Sequence, residues 1–167
     1  MTLLTRLPKL PFLVAALLAG LACASQEIPV STTFDPLVRF PAQATFSWDE
    51  SAISLPDLPD RDATDALLRE VAEEAFAARG YRAAAVPTNY RLSYDYEVVE
   101  RLGPDVAKAI GSISILMTDA SSGRRVWLGF GRAEVYVGLS REERKARLRN
   151  ALDRMLAAFP PSGRPQD

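Results

Sequence analysis

Few residues of this chain have side chains that could carry out catalysis or bind a metal. Its 167 residues include one cysteine, Cys23, and no histidine. Histidine is the most common general base and a frequent metal ligand. A Ser-His-Asp or Cys-His catalytic site therefore cannot be assembled from this chain alone, although carboxylate chemistry remains open.

Two groups of carboxylates have spacings that chemistry could use. The first comprises four aspartates, Asp57, Asp60, Asp62 and Asp65. They could offer oxygen ligands to Ca²⁺ but lack the spacing and turn glycine of an EF-hand; acidic residues at a helix N-terminus are the simpler interpretation. The second is Asp95 and Glu97, which could flank a cleft, as paired acids do in glycosidases, or form a solvated strand face. We expect no catalytic residue, no metal and no cofactor.

An apolar run leads to the cysteine. Residues 10–24, LPFLVAALLAGLACA, follow Arg6 and Lys9, and a positive segment before a short apolar core is typical of a secretory signal. The run is shorter than the roughly 20 residues that a transmembrane helix needs. We therefore interpret residues 1–22 as a signal peptide.

Two processing routes are open at the end of this run. Residues 22–24, ACA, have the A-x-A pattern that signal peptidase cuts, which would release a soluble periplasmic protein without the cysteine. Residues 20–23, GLAC, resemble a bacterial lipobox in which Cys23 becomes the lipidated first residue, although Gly20 replaces the usual leucine. Because a lone cysteine in an exported chain needs an explanation, we favour a lipid anchor at Cys23 on the periplasmic side of the envelope, in the outer membrane.

Charge limits the kinds of partner. Without residues 1–22 the chain has 18 basic and 21 acidic residues, whereas nucleic-acid binding by counterion release requires a positive excess across a domain. No nucleic acid is therefore expected as a partner. The last helix carries the basic residues Arg141, Arg144, Lys145, Arg147, Arg149 and Arg154. They could touch anionic headgroups, but a solvated face with i, i+4 pairs, such as Glu143 with Arg147, is the simpler interpretation.

The rest of the chain has the length of one domain. We assign residues 23–33 to an N-terminal tether, 34–160 to a single α+β domain and 161–167 to a disordered tail. Strands are predicted at residues 44–48, 90–98, 112–119 and 124–137. Helices are predicted at 62–80 and from Ser140 to Phe159. The order β-α-β-β-β-α predicts an antiparallel sheet of about four strands with two helices packed on one face.

Each predicted helix carries an apolar face. In the first, two rows at i, i+4, i+8 spacing comprise Leu67, Val71 and Ala75 with Leu68, Ala72 and Phe76, and Gly80 is placed at its C-terminal end. The second opens with a capping box formed by Ser140 and Glu143. Its core face comprises Leu148, Leu152, Met155 and Phe159.

Aromatic residues and glycines mark the predicted sheet. Tyr90, Tyr94 and Tyr96 share one strand face, where they could line a ligand groove or, more simply, pack beneath the helices. Gly129 and Gly131 share a face with Trp127, and glycine inside a strand marks a bulge or the close approach of another group.

Several segments also resemble a known family. They are FDPLVRFPAQATFSWD, ARGYR, LSYDYEV, SISILMTDASSGRRVWLGFGRAEV and MLAAFPP, which together are similar to domain of unknown function 4136. The most specific part is the hairpin, where Asp119, Gly123, Trp127 and Gly129 fall on the family's aspartate, turn glycine and V-W-x-G strand. The resemblance implies a bacterial envelope domain, lipid-anchored or periplasmic, in which these four residues are structural. It implies no reaction.

We therefore expect an exported, noncatalytic envelope domain of unknown molecular activity. It would be a lipoprotein that acts as a binding or assembly module for an unidentified envelope protein or ligand. The nearest alternative is a soluble periplasmic protein, which differs in having no lipid anchor. The alternative from another class is a carboxylate-dependent hydrolase of envelope polymers, which would use Asp95 and Glu97.

Overall fold

The computed structural model of the protein describes residues 28–102, 107–136 and 138–159. The predicted signal peptide, Cys23 and the C-terminal tail lie outside these residues. The elements in chain order are β1 (Val30–Phe34), β2 (Ala44–Trp48), a 3-10 turn (Glu50–Ala52), α1 (Arg61–Ala77), β3 (Tyr81–Ala83), β4 (Tyr90–Leu102), β5 (Ala107–Asp119), β6 (Arg125–Val135) and α2 (Arg141–Met155). Among the described residues, neither helix has the length and apolar character needed to cross a membrane.

The sheet has six strands in the order β1-β6-β5-β4-β2-β3. Pairing is antiparallel from β1 through β6 and β5 to β4, whereas β2 runs parallel to both β4 and β3. The α+β class with two helices is confirmed. The prediction of about four antiparallel strands is wrong, because the sheet is larger and mixed. The strands it missed are β1, which lies largely within the stretch assigned to the tether, and the three-residue β3.

The parallel part of the sheet follows from the position of α1 in the chain. The chain leaves β2, passes through α1 and returns in the same direction, so that Ala44 pairs with Tyr81. Such a connection requires a crossover of a dozen or more residues, usually a helix. Gly80 makes the turn into β3 with a φ of +87°, and a Cβ there would lie 2.2 Å from the carbonyl oxygen of Ala42. Only glycine fits both constraints.

Both helices bury the apolar faces that the sequence predicts. The buried residues of α1 are Leu67, Leu68, Val71, Ala72, Ala75 and Phe76. The capping box of α2 is confirmed, since the Ser140 hydroxyl accepts from the Glu143 N–H and the Glu143 carboxylate accepts from the Ser140 N–H. The core face of α2 is also confirmed: Leu152, Met155 and Phe159 are buried and Leu148 is partly buried.

One end of the core is an aromatic cluster centred on Phe159. Its ring centroid lies 5.0 Å from that of Tyr81, 5.3 Å from Phe40, 5.5 Å from Trp127 and 5.6 Å from Phe76. These pairs are edge-to-face arrangements, which aromatic quadrupoles favour over a face-to-face sandwich. The cluster joins α1, the residues after α2, β3 and β6 into one packed unit.

Trp127 in this cluster lies across Gly129. A Cβ built on Gly129 would lie 2.5 Å from Cη2 of Trp127, 2.8 Å from its Cζ2 and 3.2 Å from Sδ of Met155. Glycine here leaves the space in which the indole ring and α2 approach the sheet. The close approach inferred from a glycine beside Trp127 is therefore present in the structure.

The two helices are joined to each other by ion pairs rather than by apolar contacts alone. Glu70 accepts from Arg141 and Lys145, both at 2.5 Å, and Lys145 lies 3.1 Å from Glu74. Further pairs join Arg149 with Glu74, and Asp153 with Arg79 at 3.5 Å. The basic residues of α2 therefore face the acidic residues of α1, and the order of the pairs shows that the helices run in the same direction.

This arrangement corrects the expectation of a solvated basic face with i, i+4 pairs. Glu143 is occupied by the capping box, and Arg147 donates to the carbonyl oxygen of Glu134 at 2.9 Å. Since the neighbouring helix supplies the carboxylates, sequence spacing within α2 could not reveal these partners.

The contact between Trp127 and Gly129 yields a stability prediction. We expect Gly129→Ala to lower the free energy of unfolding by about 1–3 kcal/mol, because the new methyl group overpacks a rigid ring. Gly111→Ala is the matched control: its Cβ would lie 2.7 Å from Cγ2 of Val135, a side chain that can rotate away, and at ordinary contact distances of 3.5 and 3.7 Å from Tyr96. Urea unfolding followed by tryptophan fluorescence measures both. Equal losses would contradict the proposed role of Trp127.

The helix ion pairs yield a pH prediction. Hydrogen bonds from Lys145 and then Arg141 hold the pKa of Glu70 below its ordinary value of 4.5. A depressed pKa contributes stability that is present above the unfolded pKa and is lost as pH falls through the folded one. We therefore expect wild type to melt above Glu70→Gln at pH 7, and the difference to shrink below about pH 4.5. Glu97→Gln, which removes a carboxylate from the opposite sheet face, is the control for the loss of one acid.

Candidate functional site

A cavity of about 630 Å³ opens between the sheet and the N-terminal ends of both helices. Its floor is formed by β4, β5 and β6 where they extend beyond the aromatic cluster. Its volume lies within the range of small-molecule sites in proteins. This cavity is the candidate functional site.

Small residues on the helix-facing side of the sheet leave open space between the sheet and the helices. Gly111, Gly131 and Ala133 line the cavity between the larger side chains of Tyr96 and Ile113. A Cβ on Gly131 would lie 2.5 Å from Cε of Met155, so a larger residue would displace α2 or fill the space. Gly131 therefore admits Met155 and also lines the void.

The walls of the cavity are apolar. They come from the segment before α1, from α1 itself, from the segment before α2 and from α2. The wall residues are Leu58, Leu67, Leu68, Leu139, Leu148 and Ala151. Ile28, 8% exposed, also lines the cavity. An apolar ligand would thus gain contact area on several sides.

Charged groups stand where the cavity meets solvent. Asp60, directly before α1, accepts from Arg144 of α2 at 2.5 Å, so an ion pair connects the first turns of the two helices. This hydrogen bond holds the pKa of Asp60 below its ordinary value. Burial, together with the nearby Asp60 carboxylate, raises the pKa of Tyr96. The Tyr96 hydroxyl therefore stays protonated at neutral pH and can donate or accept a hydrogen bond.

A second cation, Arg147, lies on the α2 side of the opening. Its guanidinium donates to the Glu134 carbonyl oxygen at 2.9 Å and stands 4.8 Å from the centroid of the Tyr136 ring. Tyr136 donates in turn to the Glu134 carboxylate at 2.8 Å. Backbone and ring contacts thus fix the Arg147 guanidinium in place, and within the described part of the chain it has no carboxylate partner.

The four aspartates proposed as a calcium set do not form one site. Asp60 pairs with Arg144, whereas Asp65 accepts from Arg69 at 2.8 Å and from the Tyr94 hydroxyl. Burial would raise the pKa of Asp65, but hydrogen bonds from Arg69 and Tyr94 lower it overall. Asp57 and Asp62 are exposed. Within residues 28–102, 107–136 and 138–159, no three acidic or cysteine side chains are arranged to hold a metal ion.

The second carboxylate pair lies away from the cavity. Asp95 and Glu97 are on the face of β4 that points away from the helices, opposite Ser114 and Ser112 of β5. Asp95 is half-buried and Glu97 is exposed. The tyrosines alternate with them on the helix side, where Tyr90 and Tyr94 are buried in the core and Tyr96 alone reaches the cavity.

The residues that resemble the family motif lie in the β5–β6 hairpin and the core. The Asp119 carboxylate accepts four hydrogen bonds, from the N–H and hydroxyl groups of Ser121 and Ser122, at 2.6–3.1 Å. The Ser121 hydroxyl and the Ser122 groups lower the pKa of Asp119 to about 2. Gly123 completes the turn with a φ of +68°. Trp127 and Gly129 lie in the aromatic cluster, so none of the four lines the cavity.

Sequence reasoning missed most of the cavity. In the sequence, Arg147 is one of several cations on the last helix, and Leu58 and Leu139 belong to loops with no periodic pattern. The available signal was the run of small residues on the helix-facing side of β5 and β6, at Gly111, Gly131 and Ala133. This run departs from the large residues that core strand positions otherwise carry.

Comparison with solved structures identifies relatives of the fold. The chain is similar to a PelC dodecamer subunit from Paraburkholderia phytofirmans, with 16% identity, a TM-score of 0.55, and coverage of 82% of this chain and 100% of that one. It is also similar to a PDZ domain protein from Parabacteroides distasonis, with 15% identity, a TM-score of 0.53, and coverage of 82% and 36%. At these identities the likeness is one of fold alone.

A weaker likeness is to lipoprotein GNA1162 from Neisseria meningitidis, with 14% identity, a TM-score of 0.46, and coverage of 68% of this chain and 98% of that one. No curated protein matches the chain. The family model "Domain of unknown function (DUF4136)" matches residues 30–161, which include every strand and both helices described above. The chain therefore belongs to the DUF4136 family.

Proposed function

We propose that this chain is an exported envelope domain, anchored through lipidated Cys23, that binds a ligand in the cavity and catalyses no reaction. Its place would be the periplasmic side of the outer membrane. Membership of DUF4136 supports the resemblance on which the envelope location was inferred. The signal-like run and the lone cysteine support export and anchoring.

The main support for the binding role is that Asp95 and Glu97 lie on the sheet face opposite the cavity. The cavity floor and walls are apolar, and its charged rim residues already form contacts. Asp95 and Glu97 occupy the opposite sheet face and do not line the cavity. A hydrolase needs its acids beside the bound substrate, whereas a binding site needs only a shaped apolar surface with a few placed polar groups.

We favour a binding role over an assembly role because residues of a single chain line the cavity. Its lining residues come from elements that the same core holds in place. Contact with a partner protein would use other surfaces. The two roles remain compatible within one envelope module.

The anchor is tested by Cys23→Ala. This change removes the only thiol but keeps an A-x-A pattern at residues 22–24, so export should continue with cleavage after Ala24. We expect wild type in the membrane fraction with the added mass of lipid, and the variant in the soluble periplasm with Ser25 as its first residue. Intact mass spectrometry of both fractions measures this. Unlipidated wild type beginning at Ser25 would establish the soluble alternative.

The binding role is tested by filling the cavity. Ala133 is half-buried on the floor, and we expect Ala133→Phe to weaken saturable binding of the fluorescent anion 8-anilinonaphthalene-1-sulfonate by about tenfold or more. Ser114→Phe, which adds the same ring to the opposite sheet face, should leave binding unchanged. So should the Asp95→Asn, Glu97→Gln double variant.

Two outcomes would contradict the binding role. Equal dye binding by wild type and a folded Ala133→Phe variant would show that the cavity takes no ligand. A turnover of an envelope polymer that the folded double variant abolishes would assign the chain to the hydrolases. Circular dichroism of each variant verifies that it is folded.

A further inference from the structure

We propose that the cavity takes one acyl chain of a membrane lipid whose headgroup is anionic. This inference rests on the proposed binding role and names its ligand. It is argued from the shape of the cavity, the charges at its opening and its position relative to the chain's N-terminus.

The shape suits a hydrocarbon chain. Neighbouring strands lie about 4.8 Å apart and residues within a strand rise about 3.3 Å. The floor therefore measures roughly 10 Å from β4 to β6, and about 13 Å along β6 from Gly131 to Val135. Leucine side chains wall it from both helices. No cluster of polar groups lies on the floor to bind a sugar or nucleotide; the one hydroxyl among the larger floor side chains is that of Tyr96, which has no hydrogen-bond partner among the described residues.

The charges at the opening favour a negative headgroup. The charged side chains that the helix layer brings to the cavity are Asp60, Arg144 and Arg147. Arg132 and Glu134 also line it, but they alternate with Gly131 and Ala133 along β6, so their side chains point to the other sheet face. The Asp60 carboxylate is paired with Arg144, and the Glu134 carboxylate accepts from Tyr136. Arg147 is left without a carboxylate partner in the described part of the chain, and its guanidinium can donate to phosphate oxygens.

The direction of the helices adds to this preference. The ion pairs show that α1 and α2 run the same way, and Asp60, Thr64 and Leu139 place both helix starts at the cavity. The positive ends of both helix dipoles therefore point towards the opening, where they favour an anion over a cation.

The membrane is the source because the cavity lies near the proposed anchor. Ile28 lines the cavity, and the five residue-to-residue steps from Cys23 to Ile28 can span at most about 18 Å. With Cys23 lipidated, Ile28 in the cavity wall stays within that distance of the bilayer surface. A phospholipid could then place one chain in the cavity while its headgroup meets Arg147.

The experiment is photolabelling of the full chain reconstituted in phosphatidylcholine vesicles. The probes are phosphatidylglycerol and phosphatidylcholine carrying the same diazirine acyl chain, each added in trace amount. We expect labelled peptides to map to Val98, Ala133 and Leu148, with about fivefold more label from phosphatidylglycerol. Ala133→Phe should remove most of this label, and Ser114→Phe should retain it. Arg147→Gln should reduce the preference between the two lipids, because the helix dipoles remain.

The outcomes separate this inference from the binding role. Label outside the cavity, equal label in Ala133→Phe, or no preference for phosphatidylglycerol in wild type would overturn it. If the dye still binds the cavity while neither lipid labels it, the ligand is of another class and the binding role stands. Because wild-type label positions are read directly, the inference is decided even if a variant fails to fold.

Discussion

The packing of aromatic rings around Phe159 is the interaction on which the rest of the structure depends. Phe159 follows α2 yet contacts Phe76 of α1, Tyr81 of β3 and Trp127 of β6. Buried aromatic residues contribute large contact areas and dominate core energetics. This cluster therefore sets how closely both helices approach the sheet, and it does so at their C-terminal ends. The separation of helices and sheet at the other end, where the cavity lies, is a consequence of that one-sided attachment.

Different kinds of interaction hold the two ends of the helix layer. At the aromatic end apolar surface is removed from water, whereas at the cavity end Asp60 and Arg144 form an exposed ion pair, of a kind that contributes only about 0.2–1 kcal/mol. Local opening concentrates where buried apolar contacts are few. The ion pair at the cavity end therefore resists separation of the helix ends less than the aromatic cluster does at the other end.

The sequence predicted what depends on local pattern. Alternation in residues 90–98 identified β4, the Ser140–Glu143 pair identified the start of α2, and the apolar rows identified the buried faces of both helices. It missed β1 because VSTTF lies between prolines and is mostly exposed, and β3 because three residues carry no period. It missed the cavity because no local pattern encodes the distance between packed layers, and because Asp60 and Arg144 are 84 residues apart in sequence.

The distribution of charge explains why a binding role fits this family member better than catalysis by carboxylates. Most acidic residues of α1 have a basic partner: Asp65 has Arg69, Glu70 has Arg141 and Lys145. A carboxylate held ionised by a guanidinium or ammonium partner is a poor general acid at neutral pH, because its pKa is lowered rather than raised. No ion pair joins Asp95 or Glu97 to another described residue, but both lie across the sheet from the cavity. The cavity and the two unpaired acids are thus on opposite faces of the sheet. This arrangement favours binding of a ligand over catalysis.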